Sequence, residues 1–458
     1  MSLDSNDYCL KEINELCELN SSSYSKKDNW EFINYLDTKN IIKGEINEIK
    51  YLDPEMDKVP SRAKRKVNIN DIIISTVRPN QEHYGIIKKE YDNFLVSTGF
   101  TTLTVDTSQA VPEFIYYYIT QHYITQSLQT IAEQSTTSYP SVKPSDIGNL
   151  IVELPSLDIQ NKIANILTSI ENKINVNKEI NKNLEELMHV LFKKYFIDNN
   201  PFYVENDEKW NIIKLKDLII RNRDKINDFD NWKDELLIDL SNMPRFSIAI
   251  SNFDKGKKFT SNIYKLNKYD LLFGSIRPYF GKVGFSPING VVTGTVHSFK
   301  PIDDIYYSLV LSLISSKTFI NYTVSVSKGT KMPSVKWDDF INYEFAIPDD
   351  LSKIGEYNKI LLPLIHKIEK NILEIQRLTK LRDTLLPKLM SGEIDVSKIN
   401  CDLKIIIRKI YIKSSKLFLW RYLSENQNHI KNTKSNETLL KSRAIHKINK
   451  FLAKFNAR

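Results

Sequence analysis

Two short segments of the sequence carry hydrogen-bonding side chains around an Arg-Pro pair. The first holds Ser75, Thr76 and Arg78, and the second holds Ser275, Arg277, Tyr279 and Lys282. A guanidinium can donate two hydrogen bonds to guanine or to a phosphate, while hydroxyl groups can bind phosphates or base edges. These residue types therefore indicate nucleic-acid recognition. A second interpretation stays open, in which each arginine forms a structural salt bridge that closes the end of a strand.

Two lysines lie in matching surroundings further along the chain. Lys143 and Lys336 each come directly after the tripeptide Pro-Ser-Val. A lysine held at a fixed position can bind a phosphate as a point charge, whereas an ordinary surface lysine is simply solvated. We favour the phosphate clamp for both residues.

The sequence lacks the motifs that carry catalysis or hold cofactors. Neither the GxxxxGKS/T pattern of a nucleotide-binding loop nor a GxGxxG that follows a strand occurs. The Asn/Asp-Pro-Pro-aromatic motif of amino-methyltransferases is also missing, and Asn199-Asn200-Pro201-Phe202 is the nearest approach. The seven histidines show no metal-ligand spacing. We expect no catalytic residue, no cofactor and no metal site in this chain.

The sequence repeats itself once. The segment from Asp71 to Pro79 returns 199 residues later as the segment from Asp270 to Pro278. Ser138–Lys143 returns 193 residues later as Lys331–Lys336, and Val96–Gly99 returns as Val292–Gly294. Ordered matches in several blocks indicate a duplicated domain whose loops differ in length. Short apolar runs that end at Arg-Pro predict strands, so we expect each copy to be an α+β domain.

A long helix is predicted after each copy. In the first helix, apolar or Asn positions are spaced alternately by four and three residues from Ile163 to Tyr195, which is typical of a coiled coil. The same pattern recurs 194 residues later, and it aligns Asn177 with Asn371. A polar residue in such a face can fix the register, although each asparagine could also face solvent. Pro363 predicts that the second helix begins or kinks there. We expect the two helices to pack antiparallel, with approximate twofold symmetry.

Composition adds constraints on location and charge. The chain has 458 residues and a net charge of +8, yet residues 399–458 alone carry fourteen basic and three acidic side chains. The preceding 398 residues therefore sum to −3, so a nucleic-acid surface there must be local. Three cysteines without a CxxC pair, no membrane span and no secretory signal predict a cytoplasmic protein.

Three segments carry a family resemblance. Leu154–Ala164, Leu381–Ile394 and Phe273–Val283 resemble conserved regions and a recognition segment of type I restriction–modification specificity subunits. The resemblance covers roughly residues 8–397. It implies target-recognition domains at 1–156 and 200–350, conserved helical spacers at 157–199 and 351–398, and leaves a basic tail at 399–458 without a role.

The resemblance also implies partners. Each recognition domain would read one half of a split site in double-stranded DNA. The helical spacers would set the distance between the half-sites and dock two methyltransferase subunits, with restriction–translocase subunits joining the complex. S-adenosylmethionine, Mg and ATP would then belong to those partners. Two other classes stay open: a self-sufficient DNA methyltransferase or nuclease, and a coiled-coil adaptor that binds no DNA.

Overall fold

The computed structural model describes residues 8–134, 140–198, 209–259 and 262–397. Ser138 and Tyr139 of the repeated segment, and the whole basic tail 399–458, lie outside the described residues. Met1–Asp395 form one compact unit, and a second unit begins at Val396. Every element named below belongs to the first unit. No helix among the described residues is long and apolar enough to cross a membrane.

The first half of the chain contains twelve short strands and five helices within its described residues. Its helices are α1 Ile13–Leu16, α2 Pro112–Ile119, α3 His122–Glu133, α4 Pro144–Gly148 and the long α5 Leu157–Phe192. Its strands are β1 Cys9–Glu12, β2 Cys17–Leu19, β3 Ile33–Leu36, β4 Ile41–Ile42, β5 Glu45–Ile46, β6 Lys50–Leu52, β7 Ala63–Lys66, β8 Ile72–Ser75, β9 Tyr84–Ile86, β10 Phe94–Ser97, β11 Phe100–Val105 and β12 Ile151–Leu154.

The second half has the same plan. Its helices are α6 Tyr307–Ser315, α7 Lys317–Ser325, α8 Trp337–Ile341 and the long α9 Leu351–Met390. Its strands are β13 Trp210–Lys214, β14 Ile219–Arg221, β15 Lys225–Ile226, β16 Leu236–Ile238, β17 Asp254–Lys255, β18 Ile263–Leu266, β19 Leu271–Gly274, β20 Val283–Phe285, β21 Gly290–Thr293, β22 Val296–Pro301 and β23 Glu344–Pro348.

The sheets of the two halves have matching strand orders. The order β2-β11-β8-β9 in the first half corresponds to β14-β22-β19-β20 in the second. The order β6-β3-β10-β7 corresponds to β17-β16-β21-β18, to which the second half adds β15. Even the parallel pairs match, β3 with β10 and β16 with β21. The mixed helix-and-sheet fold expected from the sequence is confirmed.

Strand β19 shows why these strands are apolar throughout. Leu271 and Phe273 are fully buried in the core that contains helices α6 and α9. Leu272, whose side chain points the other way, packs against residues of the second sheet. A strand covered on both faces is a continuous apolar run instead of an alternating one. The Asp71–Pro79 and Asp270–Pro278 repeats therefore encode the central strands.

A two-stranded ribbon closes each half and starts each long helix. In the first half β1 pairs antiparallel with β12, and in the second half β13 pairs with β23. Strand β12 ends at Leu154 and α5 begins at Leu157, while β23 ends at Pro348 and α9 begins at Leu351. The ribbons bring the two ends of each half together beside its helix. The predicted division at residues 156, 199, 350 and 398 stays a prediction.

Helices α5 and α9 contact each other along their length and run in opposite directions. Arg382 approaches Glu171, Asn371 donates to Asn181, and the Tyr195 and Tyr357 rings lie 5.4 Å apart. Helix α9 continues through Pro363, so the prediction that it begins at this proline is wrong. It begins at Leu351, where the Asp350 side chain caps the backbone N–H of Ser352.

The buried face of α5 departs from the predicted heptad pattern. After Asn181 the buried positions of α5 are Glu185, Met188 and Phe192, whereas the predicted Leu184 and Leu191 are only half-buried. In the π-helical turn Lys193–Ile197 that follows, Phe196 is buried and the predicted Tyr195 is half-buried. From Ile174 to Phe192 the buried positions are spaced by three, four, four, three and four residues, which follows an eleven-residue repeat and is close to the 3.6 residues per turn of a straight helix. The heptad face does not continue beyond Asn181, and the coiled coil stays a prediction.

Candidate nucleic-acid interface

Each Arg-Pro pair forms the same tight turn at the end of a central strand. Arg78 has φ +49° and Arg277 has φ +51°, both in the left-handed region that is uncommon for residues other than glycine. The backbone N–H of Arg78 donates to the Pro140 carbonyl at 2.9 Å, and that of Arg277 donates to Pro333 at 2.7 Å. The fold thus joins each Arg-Pro turn to the Pro-Ser-Val-Lys segment of its own half.

The two arginine side chains differ in their surroundings. Arg78 is exposed, and Arg277 is partly buried with its Nε atom lacking a hydrogen-bond partner. Within the described part of the chain no carboxylate forms an ion pair with Arg277. The salt-bridge interpretation therefore finds no support for Arg277. For Arg78 both interpretations remain open.

The hydroxyl groups beside the arginines are used inside the protein. Buried Ser75 donates to the Val77 carbonyl at 3.0 Å, and buried Ser275 donates to the Thr295 carbonyl at 2.7 Å. Thr76 donates to the Gly99 carbonyl at 3.0 Å. The Gly99 and Thr295 carbonyls also accept the backbone N–H groups of Thr76 and Ser275, so the hydroxyls add a second hydrogen bond at each of these two carbonyls. These hydroxyls help to shape the turns, and the DNA contacts of Ser75, Thr76 and Ser275 stay predictions.

The other predicted contacts divide into exposed and engaged side chains. Lys143 and Lys336 are exposed, each just before a short helix, and Tyr279 is also exposed. The ammonium of Lys282 donates to the Leu240 carbonyl, and burial, with nearby Arg245, lowers the pKa of Lys282. Lys143, Lys336 and Tyr279 thus remain accessible, whereas Lys282 is partly committed within the protein.

Sequence comparison of the halves did not reveal a second pair of residues beside the turns. Lys43 donates its backbone N–H to the Glu82 carbonyl at 2.9 Å, and Phe246 donates to the Gly281 carbonyl at 3.0 Å. Both donors have positive φ, +48° and +52°. Their side chains share no chemistry and they lie outside the repeated blocks, so no sequence signal aligned them.

The two asparagines of the helix pair are buried at its centre. Asn177 and Asn371 are both fully buried, so the interpretation that they face solvent is wrong. Asn371 donates to Asn181 Oδ1 at 2.7 Å, and Asn177 donates to Glu374 Oε2 at 2.9 Å. The matched asparagines thus bond to other residues of the facing helix. Their role in fixing the register stays a prediction.

No group of three or more His, Cys, Asp or Glu side chains among the described residues is arranged to hold a metal ion.

Comparisons with known proteins agree on one family. Residues 5–186 match the type I restriction modification DNA specificity domain. The HindI specificity subunit of Haemophilus influenzae is 30% identical over 161 residues, which cover 34% of this chain and 35% of that relative. The MjaIX specificity subunit of Methanocaldococcus jannaschii is 27% identical over 315 residues, 63% of this chain and 70% of the relative.

A solved structure shares the fold over a longer stretch. The S subunit of a type I restriction–modification system from M. genitalium aligns with a TM-score of 0.53 at 16% identity, covering 85% of this chain and 98% of that structure. Residues 5–186 thus resemble the DNA specificity domain of type I restriction–modification systems, and the sequence is similar to specificity subunits of that class.

Proposed function

We propose that this chain selects the DNA site of a type I restriction–modification complex, with each half reading one half of a bipartite duplex site. One observation carries the proposal. Two halves with matching sheets each present an arginine on a left-handed turn that is fixed by an equivalent backbone hydrogen bond. A rigid turn can present a guanidinium to a base edge at little entropic cost, which favours specific recognition.

The long helices would supply both the spacing and the docking surface for two methyltransferase subunits. Leu187, Val190 and Leu381 are apolar residues exposed on α5 and α9, and Val190 is 64% exposed. Exposed apolar side chains on packed helices suit contact with another protein. Restriction–translocase subunits would join the complex in the cytoplasm. Methyl transfer, ATP use and cleavage would belong to these partners.

Replacing either arginine should weaken binding at one half-site only. Arg78→Ala and Arg277→Ala should each cost about 1–3 kcal/mol of binding free energy, because a bidentate base contact is lost. The measurement is selection from a randomised duplex library by the complex of this chain with its methyltransferase subunit, followed by affinity titration. Loss of base preference should map to opposite halves of the site for the two variants.

Arg→Lys variants at the same positions provide the matched control. Lysine keeps the charge but lacks the planar fork, so base preference should fall while salt dependence is kept. If the alanine variants instead weaken all sequences equally and reduce the salt dependence, the arginines contact phosphates. Unchanged binding in both variants would remove the arginines from the interface.

The purified chain alone should transfer no methyl group to DNA. Incubation with S-adenosylmethionine and duplexes that carry the selected site should give no labelled DNA until the methyltransferase subunit is added. Robust methylation by the chain alone would favour the self-sufficient enzyme. A complex that assembles but selects no sequence would favour the adaptor without DNA binding.

A further inference from the structure

An exposed aromatic cluster lies beside the second Arg-Pro turn. It consists of Arg245, Phe246, Tyr279 and Phe280, and it belongs to the part of the chain that also holds Arg277. The Phe246 side chain is 63% exposed and Tyr279 is 44% exposed. Two exposed aromatic rings on neighbouring segments form a larger apolar surface than one exposed side chain, and such surfaces mark binding sites.

The backbone holds Phe246 outward at a conformational cost. Its φ of +52° is a genuine outlier for a bulky residue. The conformation is fixed by the hydrogen bond from its N–H to the Gly281 carbonyl. Gly281 also makes room for the ring, since a Cβ at that position would lie 2.5 Å from Phe246 Cδ1. Backbone strain that supports an exposed side chain is a feature of binding sites.

Three cationic residues belong to the segments that form this cluster. The Arg245 guanidinium lies 3.8 Å from the centre of the Phe280 ring, and Arg245 itself is exposed. Arg277 and Lys282 add two more cations nearby in the same turn. The Asp239 carboxylate, which is close to Lys282, forms an ion pair with Lys258 at 2.9 Å. It also accepts a hydrogen bond from the Ser241 hydroxyl. An apolar ring among cations favours a partner that is both anionic and partly apolar, which describes a groove of duplex DNA.

The first half has the same backbone conformation and hydrogen bond at a residue with a different side chain. Lys43, at φ +48°, donates its N–H to the Glu82 carbonyl, as Phe246 does to Gly281. Lys43 also forms an ion pair with Glu82 at 2.8 Å. The same backbone conformation thus carries a lysine in the first half and a phenylalanine in the second. A fixed backbone that carries different side chains is the arrangement expected where two domains read different sequences.

We propose that Phe246 is a specificity-determining residue that reads a thymine in the major groove through apolar contact with its 5-methyl group. This inference rests on the proposed function. The methyl of thymine is the apolar group among the base edges displayed in that groove, so a phenyl ring can recognise it where polar side chains cannot. Arg245 lies beside the ring and would contact a neighbouring phosphate, which positions the ring on the duplex.

The test uses the complex of this chain with its methyltransferase subunit and a randomised duplex library. The wild-type complex first defines the site. The Phe246→Ala complex should keep all selected positions except one thymine in the second half's half-site, with about tenfold weaker binding to the wild-type site. Replacing that thymine with uracil, which lacks only the methyl group, should weaken the wild-type complex and leave the Phe246→Ala complex unchanged.

Two controls separate the possible failures. Ile220→Ala removes a half-exposed apolar side chain that pairs with Lys300, away from the Arg-Pro turn, and it should leave selection unchanged. Lys43→Ala should leave the preference of the second half unchanged. Equal weakening of all sequences by Phe246→Ala, or a wild-type complex that ignores every thymine-to-uracil change, would overturn the inference. A wild-type complex that selects no site would instead overturn the proposed function.

Discussion

Replacing Tyr357 with alanine should lower the free energy of unfolding by about 3–5 kcal/mol, the range for removal of a buried large aromatic side chain. Tyr357 is fully buried where α9, α6 and the end of α5 meet. Its ring lies 4.9 Å from Phe196 and 5.4 Å from Tyr195, and its hydroxyl donates to Ser312 Oγ at 2.8 Å. The alanine variant would leave a cavity among all three helical segments.

Tyr357→Phe is the matched control. It removes one buried hydrogen bond and keeps the packing, so it should cost about 1 kcal/mol. Tyr51→Ala, which removes an exposed tyrosine of the first half, should cost little. The measurement is denaturant unfolding of all three variants. A Tyr357→Ala variant that is no less stable than Tyr51→Ala would contradict the packing described for this junction.

Glu185 should make stability fall as the pH rises. Burial raises the pKa of this carboxyl from its ordinary 4.5 to about 7. The carboxyl accepts hydrogen bonds from Ser247 Oγ at 2.8 Å and from the Ile248 N–H at 3.1 Å. Because the folded state binds the proton more tightly than the unfolded state, the stabilisation is complete below about pH 4.5. It is lost between about pH 4.5 and 7, and it stays lost above that range.

Glu185→Gln tests this directly, since glutamine resembles the protonated carboxyl. The stability of the variant relative to the wild type should rise by about 3 kcal/mol between pH 4.5 and pH 8. Glu186→Gln, which changes the neighbouring exposed carboxyl, is the matched control. Parallel stability–pH curves for Glu185→Gln and the wild type would mean that the carboxyl ionises in the folded protein without cost.

The sequence predicted the features that depend on short-range pattern. The repeated blocks around Arg78 and Arg277 became equivalent strands and turns, because an apolar run followed by Arg-Pro has few ways to fold. The internal hydrogen bonds of the Ser75 and Ser275 hydroxyls were not foreseen. The two hydroxyl groups donate to the backbone carbonyls of Val77 and Thr295, and the spacing of residues in the sequence does not show which carbonyls lie within reach.

Other features were missed because a small difference in helical repeat adds up along a long helix, or because two positions share only their backbone geometry. Heptad and eleven-residue patterns coincide over two turns and then diverge by one position, which replaced Leu184 with Glu185 on the buried face. A glutamate is ordinarily assigned to the surface, so its burial was not foreseen. Lys43 and Phe246 share only a backbone conformation and a hydrogen bond. Similarity between side chains cannot detect that equivalence.

The eleven-residue spacing of α5 has a consequence for how such proteins can change in evolution. An insertion that preserves the buried face would come in units of eleven residues, which add about 16 Å of helix. Along B-DNA this distance is about five base pairs, or about half a helical turn. In a lineage that reads DNA as proposed, one added unit in α5, matched by an equal length in α9, would carry the second half to the opposite side of the duplex. Two added units would return it to the original side, so viable site spacings in descendants should differ by about a full turn of DNA.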